Sequence, residues 1–185
     1  PKGMEAAYTG QGSSHSTEAG EVYEITASHV RDFAAVISPT FAVSSTRVKI
    51  QGRQVTVRSY YQPEQKEQGK LALETAKQSL RIFSNLYGAY PYAEYAVVQT
   101  DFFIGGMEYP GLVLLDQSMY AGEYAQELER VTAHETAHQW WYAAVGSDQV
   151  SQPWVDESLT DYSTLVYVGQ RYGEESEQDF YDLYV

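Results

Sequence analysis

The stretch from His134 to Asp161, HETAHQWWYAAVGSDQVSQPWVDESLTD, constrains this chain more than any other. His134 and His138 stand four residues apart with Glu135 beside the first, the H-E-x-x-H pattern. On a helix such residues share a face, about 6 Å apart between Cβ atoms. Two imidazoles there can reach one metal ion at about 2.0–2.1 Å. The pattern therefore demands a helix, expected from about Ala125 to Val145. Glu157, nineteen residues past His138, falls in a second helical run from Trp154 to Val168. A third ligand from a neighbouring helix leaves the fourth zinc position open for water, the arrangement of a catalytic site. Glu135, one residue on from His134, leans toward that open side. Histidine pairs at this spacing also occur as plain surface or core residues. Here the apolar helical run and the following carboxylate favour one zinc ion per chain.

Composition narrows the partners. The 185 residues suffice for one good core or two small ones, and 43% are hydrophobic. The formal net charge of −13 argues against nucleic acid and anionic membranes as partners. With no Cys, zinc cannot be held by thiolates and no disulfide framework exists. No apolar run approaches the ~18 residues of a membrane span, and no signal peptide is visible. The chain starts at Pro1, so a natural N-terminus is expected to be missing and the compartment is unreadable.

Along the chain, residues 1 to about 20 are rich in Gly, Ser and Thr and read as a loop, with His15 solvated in it. From Glu21 to Gln62 short alternating runs follow one another. Those on either side of Gln51-Gly52 form an expected hairpin. Strands with no helices between them suggest an antiparallel sheet. The polar break from Pro63 to Gly69 marks an expected domain boundary. Helical spacing runs from Leu71 to Leu86. Strands are expected at Tyr95–Thr100 and Leu112–Leu115, joined through a loop that holds Phe103. A last helix opens among Glu174, Glu175, Glu177 and Asp179, where acids complement the helix dipole.

Zinc on two neutral His and one Glu can lower the pKa of a bound water to about 7. Glu135 then takes the proton as the water attacks a carbonyl and delivers it to the leaving amine. Metal-bound His usually gives its other N–H to a carboxylate or carbonyl. Asp161, four residues after Glu157, and Asp156, directly before it, are the candidates for that supporting role. Exposed helix acids of no special function are the alternative for both.

These residues carry a resemblance. His134-Glu135-x-x-His138 followed by Glu157 is similar to the signature of the M1 zinc aminopeptidases, in the gluzincin group that includes thermolysin. Gly105-Gly106-Met107-Glu108-Tyr109 resembles that family's Gly-x-Met-Glu-Asn strand. Tyr90-Pro91-Tyr92, Trp154-Val155-Asp156-Glu157 and Val30-Arg31-Asp32-Phe33-Ala34 also resemble family segments, so the likeness spans roughly residues 21–170. It implies an α+β chain: the end of an antiparallel β domain, residues 1–62, then the first part of a thermolysin-like zinc metallopeptidase domain, residues 63–185.

The resemblance implies roles too. Glu108 would bind the free α-amine of a peptide through a charge-assisted hydrogen bond. Gly105, Gly106 and Met107 would line the substrate, with the glycine backbones pairing to it. Tyr109 stands where the family has Asn. The family's oxyanion-stabilising Tyr is expected beyond Val185, since none of the 17 Tyr matches it. The chain is thus expected to be a fragment lacking a C-terminal domain of the same protein, and poorly active alone. The expected function is a zinc metallopeptidase that removes N-terminal residues. An endopeptidase of the same group and a non-catalytic zinc-containing binding module are the alternatives.

Overall fold

The computed structural model describes residues 2–102 and 104–184, so Phe103 of the expected loop lies outside it. The chain is α+β. Its first part holds two small antiparallel sheets. Strand β1 (Glu5–Tyr8) pairs with β4 (Ala35–Ser38), and β2 (Gln11–Ser16) pairs with β3 (Glu21–Thr26). The stretch read as a loop thus contains two strands. All six residues of β2 are exposed and mostly small and polar, so no side-chain alternation betrays it. Its conformation follows from the backbone ladder to β3, closed by a turn in which Thr17 and Gly20 bond each other.

Strands β5 (Ala42–Ile50) and β6 (Arg53–Tyr61) form the expected hairpin. Gln51 and Gly52 carry φ of 45° and 87°. Two consecutive positive φ values match the right-handed strand twist in a two-residue turn. The hairpin then extends into a mixed five-stranded sheet of order β5-β6-β7-β9-β8. Helix α1 (Lys66–Tyr87) is the crossover that lets β6 lie parallel to β7 (Glu94–Thr100). β9 (Leu112–Asp116) runs parallel to β7, and the two-residue β8 (Gly106–Met107) lies antiparallel on its far side. The cut expected after residue 62 therefore falls inside one sheet. Val48, Val55 and Val57 share a core with Leu80, Phe83, Val97, Val113 and Leu128. The polar break at 63–69 is a β-to-α corner, which takes the same residue types as a domain boundary.

Helix α2 (Ala125–Ala137) packs on α1 and on the sheet, and α3 (Trp154–Tyr172) packs on α2. A short α4 (Glu174–Tyr184) follows. The helical run after α2 does not continue to Val145 in α form. From Gln139 to Ala144 it widens to π-type bonding, with Ala143 N donating to His138 O and Val145 N to Trp140 O. Two tryptophans anchor this widened turn. Trp140 Nε1 donates to Gly88 O at the end of α1, and Trp141 Nε1 donates to Ser163 Oγ on α3. Among the described residues no helix is long and apolar enough to cross a membrane.

Candidate active site

The last turn of α2 and the first turn of α3 meet beside β8. His134 and His138 present adjacent rings with centroids 5.0 Å apart. Glu157 Oε2 lies 3.2 Å from His134 Nε2 and 3.6 Å from His138 Nε2. Ligand bonds of about 2.0–2.2 Å in a tetrahedron require donor atoms about 3.3–3.5 Å apart. The two His nitrogens and the Glu157 oxygen, all within 4.8 Å of one another, fit a zinc ion. The donor set of two imidazoles and one carboxylate suits the same metal. His138 is 1% exposed while Glu157 is 49% exposed, so the group is buried on one side and open on the other.

The outer nitrogens of the rings are supported differently. His138 Nδ1 lies 3.3 Å from Trp141 O and 3.2 Å from Thr160 Oγ1. The widened turn makes the first contact possible, because Trp141 leaves helical geometry (φ −94°, ψ 46°). π-type turns of this kind often occur at functional sites. Asp161 Oδ1 stands 3.0 Å from His134 Nδ1, within ion-pair distance but out of line with the ring N–H. Asp156, the other candidate for a ring N–H, faces elsewhere: its Oδ2 accepts from Gln149 Nε2 at 2.7 Å.

Glu135 is buried. Burial pushes its carboxyl up to about 7, partly opposed by His134 and His138 and reinforced by Glu108 and Glu157. Its Oε2 has no hydrogen-bond partner. The side chain lies against the backbone of Gly106, where a Cβ would collide with the carboxylate. Glu157 is held below the usual carboxylate range by its contacts with His134 and His138.

β8 is the edge of the sheet, with no strand beyond it among the described residues. Gly105 O accepts from Asp116 N, and Gly106 sits opposite Leu115. Side chains alternate from here. Met107 and Tyr109 pack into the cluster under β1 and β4 with Ala7, Val98 and Leu114. Glu108 points the other way, buried, with a carboxylate oxygen within 4.8 Å of a carboxylate oxygen of Glu135 and a ring nitrogen of His138. Tyr109 thus turns its ring from the face that Glu108 occupies, while its carbonyl accepts from Gln139 Nε2. Gln139 Oε1 accepts from Gly111 N at 2.8 Å, so this fully buried amide ties the strand turn to the residue after His138.

Gln139 and Gln149 were not legible as site residues. Gln139 reaches Tyr109, 30 positions away, and Gln149 reaches Glu108, 41 positions away, with nothing in spacing to announce either contact.

A profile of the peptidase family M1 domain matches residues 71–184. Aminopeptidase M1-B of Oryza sativa subsp. japonica is 31% identical over 121 residues, 60% of this chain and 14% of that protein. Glutamyl aminopeptidase of Bos taurus is 29% identical over 145 residues, 73% of this chain and 15% of that protein. In fold the chain is similar to the crystal structure of an M1 zinc metallopeptidase from Deinococcus radiodurans. That match has a TM-score of 0.75 at 21% identity, over 100% of this chain and 42% of the other.

Proposed function

The chain belongs to peptidase family M1, and from that premise we propose that it carries the metal site and the proton-transfer base of a zinc aminopeptidase. His134, His138 and Glu157 hold one zinc ion. When bound, zinc supplies Lewis-acid charge that acidifies water and polarises a peptide carbonyl. Glu135 is the general base and then the general acid. It takes a proton from the attacking water and passes it to the nitrogen that leaves when the C–N bond breaks. A carboxyl near 7 can both accept and release a proton at neutral pH. A zinc-containing module with a purely structural metal has no use for a buried carboxylate with an unpartnered oxygen.

The single observation that favours removal of N-terminal residues is Glu108. A second buried carboxylate next to Glu135 and His138 sits where it can take an α-ammonium by a charge-assisted hydrogen bond. That contact fixes the first peptide bond of a chain at the base. The free edge of β8 offers backbone groups to an extended substrate at Gly106, next to Gly105, whose carbonyl is held by Asp116 N. The test is the zinc-loaded full-length protein assayed on a peptide with a free N-terminus and on the same peptide acetylated. We expect hydrolysis of the first and little of the second. Comparable rates on both would replace this assignment with an endopeptidase.

A further inference from the structure

Gln149 lies in the loop between the widened turn and α3. Its Nε2 is 2.7 Å from Glu108 Oε1 and 2.7 Å from Asp156 Oδ2. An amide nitrogen carries two hydrogens, so both are spent on these two carboxylates. Glu108 is reached from the end of β8 and Asp156 from the first turn of α3, and both are buried. We propose that Gln149 is a positioning residue for amine recognition: its amide holds the Glu108 carboxylate in the orientation that receives a substrate's α-ammonium. The proposal rests on the assignment of Glu108 to that ammonium.

Three features carry it. Two buried carboxylates without a donor between them repel, and one turns away. The shared amide satisfies one oxygen of each and keeps Glu108 in place. With Oε1 occupied, Glu108 offers Oε2 to an incoming cation, and its rotamer freedom is already lost before substrate arrives. Second, the donor is neutral. A Lys or Arg at 149 would neutralise Glu108 and compete with the ammonium, and an acid would push it out. Third, the loop is built to aim this side chain. Asp148 Oδ1 accepts from Val150 N at 3.2 Å and Ser151 N at 3.0 Å, and Asp148 O accepts from Gln152 N at 2.8 Å. That Asx-type turn fixes the backbone on which Gln149 stands.

The experiment uses the zinc-loaded full-length protein carrying Gln149→Met, which keeps length and volume but removes the donors. Each variant is assayed on an aminoacyl anilide and on its desamino analogue, which lacks the α-amine. Zinc content and Tm are measured alongside. Losing a hydrogen bond to a charged group should raise KM for the aminoacyl substrate about tenfold or more, with a smaller change in kcat. The desamino substrate should be unaffected. Gln149→Asn, too short to span both carboxylates, should shift KM in the same direction, and it carries the comparison if the Met variant does not fold. An unchanged KM overturns the proposal. A lowered KM overturns it too and means that the amide occupies the ammonium's own position. Equal losses on both substrates would also overturn it, as general damage to the site. Glu108→Gln, assayed in parallel, separates the two levels. Selective loss there with none at Gln149→Met removes only the positioning role. No selective loss at Glu108→Gln removes the amine assignment beneath it.

Discussion

Glu135 and Glu157 are both acids near two imidazoles, yet their surroundings drive them apart. Glu157 is half exposed and touches both rings, which favours its ionised form. Glu135 is enclosed, with one oxygen unpartnered, which favours the proton. One suits a metal ligand and the other a proton carrier. Glu135→Gln should therefore keep zinc within a few-fold of the parent affinity. In the full-length protein it should cut kcat by about 10²–10⁴. Metal content with turnover on the same preparation checks this, and loss of the metal would show Glu135 to be a ligand instead. At this scale the sequence was informative for the residues spaced by helix geometry. It was silent on Gln139 and Gln149, whose partners lie on other elements.

Among the elements, the end of α2 matters most. Helical spacing sets His134 and His138 on one face. The change to π-type bonding just beyond them brings Trp141 O to the outer nitrogen of His138. No helix breaker stands at 139–144, so periodicity alone extends the α-helix through it. The break is set by where Trp140 and Trp141 dock, on α1 and α3. The β5–β6 hairpin is the opposite case, because its turn chemistry is local. Gly52, at φ 87°, is free of neighbours within 4 Å, so a methyl group there meets backbone strain alone. Gly52→Ala should cost about 1–2 kcal/mol in urea unfolding and leave zinc affinity unchanged. A shift in zinc affinity would mean that the hairpin and the metal site are coupled through the sheet.

For the whole molecule, zinc held as proposed would join α2 to α3, and its site exists only when they are packed together. Ligands of the folded state alone stabilise it, by about 2.7 kcal/mol at a hundredfold excess over Kd. A chelator should therefore lower Tm, and Glu157→Ala should abolish that difference. Imidazoles bind metal only when neutral, so protons compete for His134 and His138 as pH falls. The zinc-dependent part of the stability should be present at neutral pH and vanish on acidification. Melting curves with zinc and with chelator across pH would show it. If the two curves stayed apart at acid pH, ligands other than these histidines would be holding the metal.

The local rules of the chain were enough for the elements whose signals are local. Helical spacing located α1, α2 and α3, a Gly in a two-residue turn located the hairpin, and alternation or apolar runs located β6, β7 and β9. The candidate ligand pair could be picked out because an i, i+4 pair on a helix has only one geometry. Tertiary structure decided the rest. β2 is a strand only because β3 lies beside it. Residues 42–61 join the sheet of β7, not a separate domain, because α1 carries the chain back into parallel register. Asp161 and not Asp156 faces His134: five residues along α3 turn the two acids to different sides, and packing puts the Asp161 side at His134 and the Asp156 side at Gln149. Periodicity tells which residues share a face; which neighbour that face meets depends on packing between segments far apart in the chain.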